Sequence, residues 1–475
     1  MTRVDVAKPA VPMTSRERLV LFVLLTASFT LAVDFSILNV ALPVIGADVG
    51  FSLEHLQWIA TSFALCAAGF TLLFGRVSDL YGRRRLFLLG MILLGLSSLA
   101  GGLATTPVVL LLARIVQGLA TAMVTPAALS LLTTAFPEGP VRARVLGLNG
   151  ALMAAGFTTG AILGGVLADL LSWRWAFFIN VAVAVIVLVI APGVLKESRN
   201  PSRPRLDVPG AVTVTFGLLA IVYGLTRAGE TTWGDPLALG TLGVGGLLLL
   251  IFWMIEQRVK TPLVSVGILK RSTVAWGNIA GLMAFVTETS LVFLITLYLQ
   301  NVLGFTPLQA GLCFAVLGAG TVVGGILGPK LINRLGPKNT VVVGLLVQAA
   351  ATLPLAFLSL DRSWVVLLLV LTFVGGVANL AAIVGFMVMA TSGLPDEEQG
   401  LATGLATMSQ QVGITLGIPI MSALVAARLN ALGSETPQNL LSGLSSAIAV
   451  NAGLCILTAV LVGLFLRTKA VGHGA

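Results

Sequence analysis

Charged residues are scarce in this sequence of 475 residues. Asp, Glu, Lys and Arg together make up only 10% of the chain, whereas 57% of its residues are hydrophobic and its mean hydropathy is +1.02. Soluble globular proteins carry about 25% charged residues. So few polar side chains cannot cover the surface of a globule in water, which excludes a soluble protein. The composition predicts a polytopic membrane protein.

Cysteine and histidine are also rare, with three and two copies. Cys66, Cys313 and Cys455 all fall inside apolar runs, which excludes a disulfide framework and a thiolate metal cluster. His55 and His473 lie too far apart to predict a metal site. The apolar runs also lack the residue clusters of intramembrane enzymes, such as a Ser/Lys dyad or paired aspartates. We therefore expect no metal, no cofactor, no catalytic residue and no enzymatic activity.

Apolar runs of roughly 20 residues, the length that crosses a bilayer as a helix, recur fourteen times. They span about 19–41, 55–75, 86–104, 107–130, 144–168, 175–195, 208–227, 236–255, 273–302, 308–330, 339–359, 363–392, 400–427 and 441–467. The first run is too long for the apolar part of a signal peptide and is expected to be a retained helix. The sequence thus predicts an all-α protein with fourteen transmembrane helices.

The basic residues support this count. If the N-terminus is cytoplasmic, 23 of the 28 Lys and Arg residues lie in inside segments, four lie outside, and Arg114 lies within the membrane. One miscounted helix would invert this bias from that point on. The net charge of +9 is therefore explained by topology rather than by nucleic acid, which we do not expect as a partner. Both termini are predicted to be cytoplasmic.

The chain also repeats weakly. Residues 79, 82 and 84 (Asp, Gly, Arg) are matched 254 positions later by Asn, Gly and Lys, and Gly156 and Gly160 are matched 257 positions later by Gly413 and Gly417. Two six-helix halves, at about 1–200 and 265–475, explain both offsets. Residues 201–264 would form two inserted helices. These carry no charge inside the membrane, so a lipid-facing spacer is favoured over a substrate role.

Only three ionisable residues lie well inside apolar runs: Asp34, Arg114 and Glu288. Such residues cost about 2.5 to 3.5 kcal/mol each on insertion scales, so they indicate function. Asp34 lies roughly 13 Å from the outer end of the first helix, expected at Pro43, and Arg114 lies roughly 10 Å from the outer end of the fourth, expected at Pro107. The two side chains would thus share a depth and could pair. The alternatives are a static buried ion pair and, for Glu288, a locally solvated carboxylate.

The segment from Gly75 to Arg85 is a charged loop between the second and third apolar runs. Glycine at Gly75 and Gly82 permits a tight reversal, and arginines such as Arg83 stay outside the hydrocarbon. A loop that only sets topology would not need Asp79. We expect Asp79 to act in conformational coupling, by capping the thirteenth helix near residue 400 or by pairing with arginines 83 and 142.

Several of these segments resemble known motifs. The charged loop resembles the signature loop of major facilitator superfamily transporters. The run from Asp34 to Pro43, that from Leu110 to Ala122, and that from Gly156 to Gly165 with Trp173–Asn180 after it resemble helix motifs of the fourteen-span drug:proton antiporter family. One departure is Gly160-Ala161, where that family has Gly-Pro, so an expected kink is missing. The alternative for Gly156, Gly160 and Gly164 is generic helix packing.

The resemblance implies a major facilitator fold and a proton-coupled exporter of amphipathic drugs or antibiotics, cationic or aromatic, working by alternating access. Proton coupling is assigned to Asp34, Arg114 and Glu288. Conformational coupling is assigned to Gly75, Asp79, Gly82, Arg83, Gly156, Gly160 and Gly164. The substrate cavity would include Asp34, Phe35, Asn39, Gln117, Phe157 and Glu288. The partners are a small-molecule substrate, protons and lipids, for a monomer in a bacterial plasma membrane.

Rival functions stay open at this point. Within transport, these are a dedicated exporter of an antibiotic or lipid made by the cell, and a uniporter or importer. Outside transport, a membrane receptor or scaffold would not need Asp34 and Arg114 at one depth.

Overall fold

The computed structural model describes residues 13–51, 55–136, 140–198, 207–259, 262–263, 266–391, 396–434 and 436–466. Within these ranges every regular element is helical. The bounds are α1 Ser15–Val49, α2 Gln57–Tyr81, α3 Arg83–Gly102, α4 Pro107–Ala135, α5 Pro140–Leu170, α6 Trp175–Val194, α7 Val208–Glu230, α8 Pro236–Glu256, α9 Val266–Leu269, α10 Ser272–Leu297, α11 Pro307–Thr352, α12 Trp364–Thr391, α13 Asp396–Leu432 and α14 Pro437–Phe465. A π-helical turn, Tyr298–Val302, continues α10.

Eleven helical segments of the described ranges are long and apolar enough to cross a membrane. The most apolar is Trp175–Val194, with a mean hydropathy of 2.7. A bilayer core of about 30 Å needs about 20 helical residues, which these segments provide. The chain is therefore an all-helical, multi-pass membrane protein, which confirms the class that its composition predicted.

The longest helix, α11, changes direction at a glycine. Its 46 residues would span about 69 Å if straight, more than twice the thickness of a bilayer core. It is kinked at Gly336, whose φ of 79° is a conformation that favours glycine. Gly82, with φ 120°, ends α2. Gly82 and Gly336 are the two glycines that the 254-residue repeat relates, so the chain turns at equivalent positions.

Two predicted helix ends are wrong. We expected Gly75 in the turn after the second helix, but α2 continues through Gly75 to Tyr81, and Gly82 alone makes the turn. A glycine inside a helix costs only about 1 kcal/mol, which does not end it. We also expected the first helix to end at Pro43, whereas α1 continues past this proline to Val49. Proline removes one backbone hydrogen bond and does not always stop a helix.

The three glycines of α5 form its contact with α1. A Cβ atom on Gly156, Gly160 or Gly164 would lie 2.8, 2.6 or 2.0 Å from a backbone oxygen of α1. Because real Cβ atoms do not come so close, only glycine lets the two backbones approach. The small-residue face is thus a helix-packing face, and its part in conformational coupling stays a prediction.

The same kind of contact recurs between α13 and α10. It shows which residues of α1 and α10 correspond to each other. In each case a glycine faces a backbone carbonyl: Gly156 faces Phe29, Gly160 faces Val33, Gly413 faces Leu282 and Gly417 faces Val286. Matching carbonyls lie 253 positions apart in the chain. In this register Asp34 corresponds to Thr287, and Phe35 corresponds to Glu288.

The inserted helices α7 and α8 differ in their surroundings. The Thr215 hydroxyl of α7 donates to the Gly69 carbonyl of α2 at 2.6 Å. At the other end of α7, the Asn430 side chain of α13 donates to the Thr231 carbonyl at 3.0 Å. Large apolar side chains of α8, such as Leu247, are exposed. The lipid-facing interpretation therefore fits α8, whereas one face of α7 packs against α2 and α13.

Candidate functional site

The structure brings Asp34 of α1 and Arg114 of α4 together. The Arg114 Nη1 atom lies 3.2 Å from Asp34 Oδ2, and each side chain is only 1% exposed. Pro107 starts α4 and Thr106 precedes it in extended conformation, which places Arg114 two turns into the helix. A buried ion pair needs further hydrogen bonds to offset the loss of water.

Asp34 has three side-chain donors. Besides Arg114, the Gln117 amide donates to Asp34 Oδ1 at 3.3 Å, and the Asn180 amide of α6 donates to the same oxygen. All four side chains are buried. The carboxylate therefore links α1, α4 and α6 within one six-helix segment of the sequence.

Arg114 is held independently of Asp34. Its Nε atom donates to the Ile59 carbonyl of α2 at 3.0 Å, and its Nη1 atom donates to Gln117 Oε1 at 2.9 Å. The Gln117 amide also donates to the Ser98 hydroxyl of α3 at 2.8 Å. The guanidinium thus keeps two acceptors when the carboxylate changes its charge, and the network reaches five helices.

Sequence reasoning assigned no role to Asn180 or Ser98. The available signal was strong for Asn180, because it is the only amide side chain in the apolar helix α6. Ser98 gave no comparable signal, since serine is common in membrane helices. Asp34 and Gln117 were assigned to the substrate cavity, and the structure places both in the buried network instead of the cavity described below. That assignment stays a prediction.

The second repeat holds a neutral cluster at the corresponding place. Its members are buried polar side chains on α10, α11, α12 and α14: Thr287, Ser290, Gln348, Asn379 and Asn451. The Gln348 amide donates to the Thr287 hydroxyl at 3.1 Å, and the Asn379 amide donates to Gln348 Oε1 at 3.2 Å. The Asn451 amide donates to the Ser290 hydroxyl at 2.9 Å. Thr287 thus takes the place of Asp34, and no charge is present in this cluster among the described residues.

Glu288 faces a different environment. It lines a small cavity where α5 meets α10 and α11, which we call the seam. The other lining residues are Phe157 and Ala161 of α5, Val292 of α10, and Phe314, Leu317 and Thr321 of α11. Among the described residues its carboxylate has no hydrogen-bond or ion-pair partner. Phe35, its counterpart in the first repeat, stacks on Phe157 with ring centroids 6.1 Å apart. The seam therefore combines aromatic rings with one unpaired carboxylate. The side chain of Asn39 lies outside the described residues.

The charged loop is held by a residue that sequence reasoning missed. Glu197, just after α6, accepts from the backbone N–H groups of Arg84 at 3.1 Å and Arg85 at 3.3 Å. A carboxylate at a helix N-terminus is stabilising, so Glu197 caps α3. A Cβ atom on Gly82 would lie 2.7 Å from Glu197. Glycine is therefore favoured at this position both by its backbone conformation and by the space that Glu197 occupies. The Arg83 N–H donates to the Ser198 carbonyl at 3.1 Å.

Asp79 and Gly75 were both assigned to conformational coupling. The side chain of Asp79 lies outside the described residues, as do its proposed partners near residue 400 and Arg142, so its coupling role stays a prediction. Gly75 has ordinary surroundings, because a Cβ atom there would lie 3.7 Å from Pro126. Nothing in the structure requires glycine at that position.

The N-terminal helices α1, α2 and α5 also contact the C-terminal helices α10, α11 and α13 through polar groups. The Gln300 amide, in the π-helical turn after α10, donates to the Val40 carbonyl of α1 at 2.8 Å. The Thr306 hydroxyl before α11 donates to Asp169 at the end of α5 at 3.3 Å. Nearer the middle of both helices, the Thr415 hydroxyl of α13 donates to the α2 backbone. These contacts hold the N-terminal and the C-terminal helices together at three levels.

Comparison with known proteins identifies the family. A model of the Major Facilitator Superfamily matches residues 24–418. The chain is 34% identical to a puromycin resistance protein of Streptomyces alboniger, over 95% of this chain and 92% of that relative. It is also 34% identical to a cephamycin export protein of Amycolatopsis lactamdurans, over 95% and 94%. A solved D-xylose–proton symporter shares the fold, with TM-score 0.65 and 14% identity over 95% of this chain and 98% of that one. The chain belongs to the Major Facilitator Superfamily.

Proposed function

We propose that this protein exports amphipathic drugs or antibiotics across the bacterial plasma membrane in exchange for protons. The observation that carries the proposal is the buried Asp34–Arg114 pair, which lies apart from a seam cavity that contains aromatic rings and Glu288. Intramembrane carboxylates of this kind are the groups that bind protons in transporters. The two relatives named for puromycin resistance and cephamycin export support efflux as the direction.

Asp34 is the principal protonation site in this proposal. Its carboxylate is the group of the network that can bind and release a proton, whereas arginine stays charged. Protonation removes the negative charge opposite Arg114, which keeps its hydrogen bonds to Ile59 and Gln117. Exchange requires only that the protonated and the drug-bound forms favour different conformations.

Glu288 is the second site. An ionised Glu288 would attract a cationic drug into the seam, while Phe157 and Phe314 offer apolar and aromatic surface. A cation would gain on the order of 1 to 4 kcal/mol at short range in a partly solvated cavity. Neutral Glu288 would carry a proton instead. One carboxylate can perform both roles in succession.

The architecture we propose has fourteen spans, with six-helix halves at 1–200 and 265–475 and inserted helices within 201–264. The kink at Gly336 supports counting α11 as two spans, and α2 and α5, with 25 and 31 residues, are long enough to add one span each. Alternating access would rock the halves about their seam.

A topology test follows from the charge distribution. Cysteines introduced near residues 200, 265 and 475 should react only with reagent on the cytoplasmic side, and a cysteine near residue 232 only with reagent outside. The Lys and Arg bias gives this direction. The three native cysteines would be replaced by serine first. Residue 232 labelled from the cytoplasm would contradict the pair of inserted spans.

The function itself is tested in proteoliposomes. We expect an imposed pH gradient to drive uptake of ethidium, an aromatic cation, and to stop doing so when a protonophore collapses the gradient. Flux that is the same with and without the gradient would overturn proton coupling in favour of a uniporter.

Glu288→Gln should reduce transport of ethidium far more than that of neutral chloramphenicol, by about fivefold or more, because a cation loses a stabilising charge worth on the order of 1 to 4 kcal/mol. Asp361→Asn, at an exposed carboxylate in the loop before α12, is the matched control and should transport both compounds normally. Equal loss of both compounds would make Glu288 a coupling or structural residue. Normal transport of both would remove it from the site.

The single drug named for each of the two relatives favours one further candidate, a dedicated exporter of one antibiotic. An efflux-deficient strain that expresses the protein should be tested against puromycin, a cephamycin, ethidium and chloramphenicol. Resistance to several unrelated compounds would support the multidrug function, and resistance to one of them would support the dedicated exporter.

A further inference from the structure

Three phenylalanine rings connect the buried ion pair to the seam cavity. The Arg114 Cζ atom lies 4.2 Å from the centroid of the Phe63 ring. The Phe63 ring lies 6.0 Å from that of Phe35, and the Phe35 ring lies 6.1 Å from that of Phe157. Phe157 lines the cavity that contains Glu288. A continuous path of ring contacts therefore runs from the guanidinium to the candidate substrate site.

The geometry of each contact is attractive. Ring centroids of interacting aromatic pairs lie about 4.5 to 7 Å apart, and the Phe35 ring is inclined by 47° to Phe63 and by 29° to Phe157. A guanidinium within about 6 Å of a ring face is held by the electron density of the ring. Because protein interiors are close-packed, a shift of one ring displaces the next.

The backbone at Phe63 is held in place, which leaves its ring as the movable part. Gly118 of α4 packs so closely on α2 that a Cβ atom there would lie 2.3 Å from the Phe63 carbonyl oxygen. The Ile59 carbonyl, one turn earlier in α2, accepts the Arg114 Nε hydrogen bond. Phe63 is only 1% exposed. Movement of the guanidinium is thus passed to the ring rather than to the helix.

We propose that Phe63, acting through Phe35, is a positioning residue that transmits the charge state of Asp34 to the wall of the substrate cavity. When Asp34 takes up a proton, Arg114 loses its ionic partner. Its Nε hydrogen bond to the Ile59 carbonyl stays in place, and the guanidinium turns about that bond over the face of Phe63, followed by the Gln117 side chain. The rings of Phe35 and Phe157 follow. The cavity wall at Phe157 then changes shape. This inference rests on the proposed function, because it assumes that Asp34 is the coupling site.

The charges around this path are few. Arg114 is the charged group that faces Asp34 among the described residues of α2, α4, α5 and α6, the helices that pack most closely against this part of α1. The other side chains there are neutral: Gln117 of α4, Asn180 of α6, and the packing glycines 156 and 160 of α5. At the cavity end, Glu288 is the charged group among the described lining residues. The pH dependence of substrate binding should therefore contain two parts, one from Asp34 and one from Glu288.

The test measures binding of ethidium to the purified full-length protein by fluorescence polarisation at pH 6 and pH 8. Since proton and cation bind in turn, wild-type affinity should rise with pH, by about tenfold or more, within the usual range for coupled sites. Asp34→Asn should remove one part of this change. Phe63→Leu should remove the same part and alter the affinity at pH 8 by less than about threefold. The double variant should show no further loss.

Phe87→Leu is the matched control, because Phe87 of α3 is also fully buried but lies in a cluster of apolar side chains that does not include Phe63. It should keep the full pH dependence. Phe63→Met retains the volume without the ring and should behave like Phe63→Leu. Should Phe63→Leu fail to fold, as judged by gel filtration, Phe35→Leu provides the same test further along the path.

The possible outcomes separate the two proposals. If Asp34→Asn removes part of the pH dependence and the Phe63 variants do not, transmission through the rings is wrong while the coupling role of Asp34 stands. If Phe63→Leu and Phe87→Leu lose equal parts, the effect is one of general packing, and the inference is again overturned. If Asp34→Asn changes nothing, the proposed function fails and this inference with it.

Discussion

Asp34→Asn should abolish drug transport driven by a pH gradient. The substitution keeps the size of the side chain but removes both its charge and its ability to bind a proton reversibly. Asp34 is the acceptor for Arg114, Gln117 and Asn180, so it lies at the centre of the network. Ethidium flux in proteoliposomes should fall to the level of empty vesicles. A variant that still exchanges ethidium for protons at the wild-type rate would refute the coupling role.

The same variant should also be less stable, and this effect needs a control. Removing one partner of a buried ion pair leaves the other charge uncompensated, which costs about 3 to 5 kcal/mol. In Asp34→Asn combined with Arg114→Gln both charges are gone, so the double variant should unfold at a higher temperature than the single one. It should still lack coupled transport. If restored stability also restored transport, the pair would be a static structural element, which is the alternative that the sequence left open.

Gly164→Val should leave little folded protein. A Cβ atom at Gly164 would lie 2.0 Å from the Ile37 backbone oxygen, and valine adds two further carbons. The collision is with backbone, so no side-chain rotation relieves it, and α5 must move away from α1. Overpacking of this severity costs about 3 kcal/mol or more. Gel filtration after detergent extraction should show a strongly reduced monodisperse peak.

Gly243→Val, in α8, is the matched control for this substitution. Nothing lies within 4 Å of a Cβ atom at Gly243, so valine there meets open space. Its yield and unfolding temperature should stay close to those of the wild type. If Gly164→Val gave the same yield as Gly243→Val, the close contact between α1 and α5 would not be needed for folding.

The sequence alone determined the features that depend on local composition. Apolar runs of about 20 residues mark membrane helices because the bilayer thickness sets their length. The pairing of Asp34 with Arg114 was predicted by counting along two helices, since the rise per residue is constant, although α1 continues to Val49, past the end at Pro43 from which the depth of Asp34 was counted. The close-packed face of α5 followed from glycines four residues apart, which lie on one side of a helix. Each of these inferences needed only the regular geometry of a single helix.

The tertiary structure alone decided which side chains meet. The loop repeat, at an offset of 254, would pair Asp34 with Glu288, whereas the glycine contacts of α1 and α10 give 253 and pair Asp34 with Thr287. One residue turns a side chain by about 100° around a helix. The side chain of Asp34 therefore contacts helices of its own repeat, while that of Glu288 faces the seam. The neighbour that each face of a helix contacts depends on packing between helices that are distant in the chain. The rotation of α1 or α10 about its own axis therefore cannot be read from the sequence.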